Sequence, residues 1–112
     1  MTKASVFIAL GVILASVLVS PAQADKLKNR EFLTFSEGQR QWWYAGAFDA
    51  LGHAAFVEDE AKGQCVWNWL AAHPDREALL LDSFRQYPDH APTSILLAVL
   101  RRDCGVFTHT PD

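Results

Sequence analysis

Two cysteines are the residues whose chemistry the sequence defines best. Cys65 and Cys104 are the only cysteines among 112 residues, so they allow a single intramolecular disulfide. Disulfides persist in oxidising compartments, and a bond closing this loop would stabilise a fold by about 3–4 kcal/mol in the chain-entropy model. A redox-active pair would normally have the spacing Cys-x-x-Cys, which the sequence lacks. We therefore expect a structural disulfide.

Metal-binding and catalytic patterns are weak by comparison. Asp49 and His53 are four residues apart and would share one face of a helix. A zinc site needs three or four ligands, so we expect a local polar pair. The sequence has no His-Glu-x-x-His motif, no Gly-x-Ser-x-Gly motif and no glycine-rich phosphate loop. We therefore predict no enzymatic activity, no metal site and no cofactor.

Aromatic side chains suited to protein binding are more prominent. Trp42, Trp43 and Tyr44 are consecutive, and consecutive helical residues point about 100° apart, so the three cannot all be buried. We expect Trp43 to point inward, which leaves Trp42 or Tyr44 near the surface. An exposed aromatic anchor is typical of a protein interface. The alternative is that the N-terminal segment covers it.

The charge balance excludes one class of partner and suggests another. The chain has 13 acidic and 10 basic residues, a net charge of −3. Phosphate binding needs a basic patch, so we predict no binding to nucleic acid. Glu58, Asp59 and Glu60 concentrate negative charge, which would suit either a basic partner or a solvated loop. Together with Trp42 and Tyr44, they are the candidate partner-binding residues.

The first 24 residues have the pattern of a secretory signal peptide. Lys3 precedes an apolar run from Val6 to Val19, and the segment ends in the tripeptide Ala-Gln-Ala at 22–24. The run of 14 residues is shorter than the roughly 20 that span a bilayer. We predict cleavage after Ala24, no stable membrane insertion and a periplasmic location. Residues 25–112 suit one small domain.

Helical patterns dominate this domain, and no alternating strand pattern occurs. Ser36 and Gln39 fit a capping box, which predicts a helix to about Val57. Apolar periodicity predicts three further helices, at Cys65 to His73, Pro74 to Tyr87 and Pro92 to Cys104. The expected fold is therefore all-α, a small four-helix domain with one disulfide after a cleaved signal peptide.

The segments between and before these helices are predicted from their composition. We expect residues 25–34 to form an extended or frayed arm whose end packs on the core, and residues 58–63 to form a polar loop. Gly46, Ala50 and Ala54 form a row of small residues that would let another helix approach closely. Because the neighbouring helix could belong to a second copy, a homodimer is possible.

The order of these features is similar to that of a known family. The first helix has a tyrosine–glycine motif at 44–49 and is followed by Cys65. A helix that ends in His-Pro at 73–74 comes next, and then a helix led by Pro92 and a closing cysteine, Cys104. This order resembles the periplasmic immunity proteins of type VI secretion amidase effectors, the Rap/Tai type. The resemblance implies a helical, often dimeric, non-enzymatic binder that inhibits a peptidoglycan amidase effector by occluding it.

The cysteines of this sequence differ from those of that family. Those immunity proteins commonly carry a second disulfide that anchors the N-terminal region, whereas no cysteine precedes Cys65 here.

Acid-stress chaperones of the HdeA type are also small, exported and helical with one disulfide. Protonation of the carboxylates and histidines in acid would make the chain strongly positive and favour its opening. The alternative functions are thus an envelope or acid-stress chaperone, or a periplasmic interaction protein with another partner.

Overall fold

The computed structural model describes residues 27–108, so the predicted signal peptide and its cleavage site lie outside the described residues. Between residues 27 and 108 there are five helices and no strand, which confirms the all-α prediction. They are α1 (Asn29–Phe32), α2 (Glu37–Glu58), α3 (Glu60–Ala72), α4 (Arg76–Gln86) and α5 (Pro92–Cys104). None of these five helices is both long and apolar enough to cross a membrane.

The long helix α2 begins at the predicted capping box. The Ser36 hydroxyl accepts a hydrogen bond from the Gln39 backbone N–H at 3.2 Å. The Gln39 side chain accepts one from the Ser36 backbone N–H at 2.9 Å. Two backbone donors of the first turn are thereby satisfied, and the helix continues to Glu58, one residue beyond the predicted end.

The predicted polar loop at 58–63 is wrong, because Asp59 alone separates α2 from α3. The Asp59 carboxylate accepts hydrogen bonds from the backbone N–H groups of Ala61 and Lys62, at 2.8 and 3.3 Å. These bonds cap a new helix at once, so α3 begins at Glu60, five residues before the predicted start. A one-residue connection leaves α2 and α3 packed along each other as a helical hairpin.

Two glycines let the helices of this hairpin approach closely. A Cβ atom on Gly63 would lie 2.6 Å from Phe56 Cβ and 3.0 Å from the Gly52 carbonyl oxygen. The predicted row of Gly46, Ala50 and Ala54 lies instead on the exposed face of α2. Close helix packing within residues 27–108 therefore depends on Gly52 and Gly63, which the sequence analysis did not single out.

Residues 29–32 of the N-terminal segment form a short helix rather than part of the expected extended or frayed arm. Asn29 is fully buried; its backbone N–H donates to His90 O at 2.8 Å, and its side-chain amide donates to Tyr87 O at 2.7 Å. These bonds attach α1 to the turn after α4 without a second disulfide. The predicted packing of the segment's end on the core is confirmed, since Phe32 is buried and Phe35 packs against the core.

The core lies where all five helices converge, with Val66 and Trp69 contributed by α3, and the disulfide joins α3 to the end of α5. The Cys65 and Cys104 sulfur atoms are 2.04 Å apart, as predicted. Helix α5 begins at Pro92, and Gly105 ends it in the left-handed conformation, with φ at 65°. Helix α4 begins two residues later than predicted, at Arg76, because Pro74 and Asp75 form a turn.

Candidate functional site

A groove of about 350 Å³ lies between α2 and α3 and is open to solvent on one side. Its α2 residues have the spacing i, i+3, i+4, i+7, and its α3 residues the spacing i, i+3, i+4, so each set lies on one helical face. The seven lining residues are Gln41, Tyr44, Ala45, Phe48, Trp67, Leu70 and Ala71. The groove is thus mostly apolar and aromatic, and none of these residues is charged.

The Trp67 side chain forms one wall, and its position is fixed by contacts with α2. Its indole packs directly over Gly52, where a Cβ atom would lie 2.0 Å from Trp67 Nε1. The indole N–H donates to the Asp49 carbonyl oxygen at 3.3 Å. The rings of His53 and Phe56 lie 4.9 and 5.6 Å from the Trp67 ring. These contacts together hold the Trp67 side chain against α2.

Tyr44 is the groove residue whose polar atom is buried. The residue is only 2% exposed, and its hydroxyl oxygen is closed off from solvent beside the Glu77 carboxylate. Burial raises the pKa of Tyr44 well above its usual value, and the negative charge of Glu77 and a hydrogen bond with its carboxylate act in the same direction, against the opposing charge of Arg40. The hydroxyl is therefore held beside Glu77 and is not open to the groove.

Glu77, from the first turn of α4, lies at the Gln41 end of the groove. The Gln41 side-chain amide donates to Glu77 Oε2 at 3.0 Å. Arg40 approaches the same carboxylate, with Nη2 3.9 Å from Oε1, while its Nη1 donates to the Phe35 carbonyl oxygen at 2.9 Å. The nearest cation is thus already engaged, and the carboxylate retains acceptor sites.

The three consecutive aromatic residues occupy three different environments. Trp43 packs against Phe32 with ring centroids 5.0 Å apart, which confirms the inward position predicted for it. Trp42 is 82% exposed, so the N-terminal residues 27–36 do not cover it. Tyr44 is buried at the groove. Of the two candidate surface residues, the structure therefore exposes Trp42, which is next to the lining residue Gln41 in sequence but does not itself line the groove.

The acidic candidates lie far from these aromatic residues. Glu58 is 16 residues beyond Trp42 on the same helix, about 24 Å along its axis. Glu58 and Glu60 are exposed, whereas the Asp59 carboxylate caps α3. The structure therefore does not bring the predicted partner-binding residues together into one patch.

Asp49 and His53 form the expected local pair on α2. Their Oδ1 and Nε2 atoms are 3.4 Å apart, and both side chains are largely exposed. Between residues 27 and 108, no group of three or more His, Cys, Asp or Glu side chains is placed to hold a metal ion.

Most of the groove was not foreseen from the sequence, which singled out Tyr44 alone among its lining residues. The helical spacing of its residues is visible in the sequence, but the same spacing is typical of any buried helix face. Comparison of the chain with protein-family models, curated protein sequences and solved structures found no match. The groove and the exposed Trp42 are the surface features of residues 27–108 that point most directly to a binding role.

Proposed function

We propose that this protein is an exported, non-enzymatic binding protein that inhibits a cell-wall amidase by occluding its active site. The observation that carries the proposal is an exposed tryptophan, Trp42, on α2, the helix that also forms one side of an open aromatic groove. Tryptophan anchors and the concave pockets beside them are the features that dominate protein interfaces energetically. Both features lie on one helical hairpin.

The rigidity of this hairpin supports a binding role. The Cys65–Cys104 bond ties α3 to α5, and Gly63 packs α3 closely against Phe56 of α2. A surface that is ordered before it meets its partner loses less conformational entropy on binding. Such a scaffold suits stoichiometric inhibition, in which the complex has to persist.

The sequence resemblance suggests an amidase as the partner, and the predicted signal peptide suggests the periplasm as the compartment. A disulfide-bonded protein that enters the periplasm would meet a cell-wall amidase there. Because peptidoglycan is the substrate of that enzyme, covering its active site would protect the cell without any chemistry on the inhibitor's side.

The test starts from the full-length gene, with the protein purified from the periplasmic fraction. Immobilised protein is exposed to periplasmic extract at neutral pH, and captured proteins are assayed for release of peptides from peptidoglycan. We expect a 1:1 complex with an amidase whose activity falls on binding. Trp42→Ala should weaken that complex about 30-fold or more, as for an interface hot spot. Val57→Ala, an equally exposed apolar residue near the other end of α2, is the matched control.

Two outcomes would contradict the proposal. Capture of many unrelated proteins only in acid would instead indicate a chaperone. A complex without inhibition, or one that Trp42→Ala leaves unchanged, would remove the occlusion mechanism through this surface. Light scattering of the same preparation gives its oligomeric state and so tests the possible homodimer.

A further inference from the structure

We infer that the outer face of α2 binds a second copy of this chain, with the two α2 helices antiparallel. The inference does not depend on the proposed function, because it concerns the protein alone. The outer face consists of six exposed residues whose spacing places them on one side of the helix. They are Ala45, Gly46, Asp49, His53, Phe56 and Val57, and they extend for about 18 Å along the helix.

The residues of the outer face are arranged symmetrically about the position of Leu51. When two α2 helices lie antiparallel with this position at the centre, residues before the centre of one helix face residues equally far beyond the centre of the other. Ala45 and Gly46 of one copy then lie opposite Phe56 and Val57 of the second copy. The two-fold symmetry repeats the same contact at the other end of the interface.

The sizes of these opposed residues are complementary. Val57 is 88% exposed and Phe56 is 40% exposed, so both project from the helix as knobs. A Cβ atom on Gly46 would meet no atom within 4 Å, so the surface there is bare, and the neighbouring Ala45 is small and exposed. Large residues of each copy therefore meet small residues of the other, which lets the two helix backbones approach closely.

The charged groups at the centre of the outer face are also complementary. The Asp49 and His53 side chains are 72% and 67% exposed, and their Oδ1 and Nε2 atoms lie 3.4 Å apart within one copy. In the antiparallel pair, Asp49 lies opposite His53 of the second copy, so carboxylates and imidazoles alternate. An imidazole can donate to a carboxylate in either protonation state. Parallel helices would instead place Asp49 opposite Asp49, and the charges therefore favour the antiparallel arrangement.

The small area of the outer face indicates a weak dimer. A stable interface buries about 800 Å² on each partner, which is more than one helix face of this length offers. The Trp67 ring, 5.6 Å from that of Phe56, extends the face onto α3. We therefore expect a Kd for the dimer of about 10–100 µM.

The first test measures association of the purified, oxidised protein by sedimentation velocity at neutral pH, from about 10 µM to 1 mM. His53→Asp would place four carboxylates together and should raise the dimer Kd about tenfold or more. Adding Asp49→His exchanges the two residues and should return the Kd to within about twofold of the wild type. His73→Asp makes the same change at an exposed position after α3 and is the control.

The second test exchanges sizes and so identifies the antiparallel register. Gly46→Val should clash with Val57 of the second copy and raise the Kd about tenfold. Adding Val57→Gly should relieve that clash, whereas in a parallel pair it would not, because residue 46 would face residue 46. Ala98→Val, at an exposed position of α5, is the control. Circular dichroism checks that each variant is folded.

Three results would overturn the inference. One is a protein that stays monomeric up to about 1 mM, ten times the weakest Kd expected. Another is a dimer that His53→Asp leaves unchanged, and the third is an exchange of charge or size that fails to restore association. All are measured on the protein alone, so they can be told apart from failure to capture an amidase.

Discussion

Two clusters of aromatic side chains in this small domain have similar composition but differ in burial. Phe32 is completely buried, and its ring lies 5.0 to 5.7 Å from four other rings, those of Phe35, Trp43, Tyr44 and Phe84. Trp67 is only half-buried, and its neighbours His53 and Phe56 are exposed. The cluster around Phe32 is buried in the core and is called the closed cluster below. The cluster around Trp67 lies at the surface and is called the open cluster.

The difference arises from the number of elements that meet at each cluster. Helices α1, α2 and α4 converge on Phe32 and cover it from several sides. Only α2 and α3 meet at Trp67, and a two-helix hairpin cannot enclose its own apolar faces. The uncovered side of the hairpin is the groove, so the same residue types stabilise the fold in one place and remain available for binding in the other.

The largest expected effect is at the closed cluster. Phe32→Ala should destabilise the protein by about 3–5 kcal/mol, because it removes a fully buried ring and leaves a cavity. Phe56→Ala, at a residue that is 40% exposed in the open cluster, should cost only about 1–2 kcal/mol. Urea unfolding followed by circular dichroism measures both. Equal losses would show that the two clusters are not energetically distinct.

The disulfide is expected to have the next largest effect on stability, because it is the covalent link between the α2–α3 hairpin and α5. Replacing Cys65 and Cys104 together by serine should cost about 3–4 kcal/mol, mainly by freeing the unfolded chain. Reduction of the wild-type protein should give a similar loss in the same urea assay. If neither treatment shifted the unfolding midpoint, non-covalent packing alone would hold the hairpin in place.

The helix contact beneath the open cluster can be tested with two glycine-to-alanine changes of opposite sign. Gly63→Ala should destabilise by about 1–3 kcal/mol, because its Cβ would lie 2.8 Å from the Phe56 backbone and would force the helices apart. Gly46→Ala meets no atom within 4 Å and should stabilise by about 0.5–1 kcal/mol through helix propensity. Thermal unfolding distinguishes the two, and a gain from Gly63→Ala would argue against the tight hairpin.

A smaller effect than that of the core and the disulfide concerns Asp103, which links α5 to α3. Trp69 Nε1 donates to Asp103 Oδ2 at 2.7 Å, and Arg102 Nε donates to Oδ1 at 2.8 Å. The Arg102 hydrogen bond lowers the pKa of Asp103, and the Trp69 hydrogen bond acts in the same direction against partial burial. This stabilisation is therefore present above the unfolded-state pKa, near 4, and is lost as the pH falls through the lower folded-state value.

Asp103→Asn should consequently cost about 1 kcal/mol at pH 7 and flatten the loss of stability below about pH 4. Urea unfolding at pH 7, 4 and 2 measures this. Asp82→Asn, whose exposed carboxylate pairs with Arg85 within α4, is the control. A pH dependence identical to that of the wild type would exclude Asp103 as its source.

Local patterns predicted the helices better than the connections between them. The Ser36–Gln39 capping box and the helix from Pro92 to Cys104 depend on neighbouring residues, and both were found where expected. The link at Asp59 and the short helix at Asn29 were missed. The first depends on one carboxylate capping α3, and the second on backbone acceptors 58 or more residues away.

The sequence by itself determined the all-α class, the single possible disulfide and the inward position of Trp43, because periodicity, cysteine count and helical geometry are local properties of the chain. Only the tertiary structure decided that Trp42 is exposed, that Tyr44 is buried, and that a groove opens beside Trp67. The physical reason is that burial depends on which helices meet at a residue. On α3, Trp69 is buried in the core whereas Trp67, two residues earlier, lines the open groove, and no pattern within the helix specifies that.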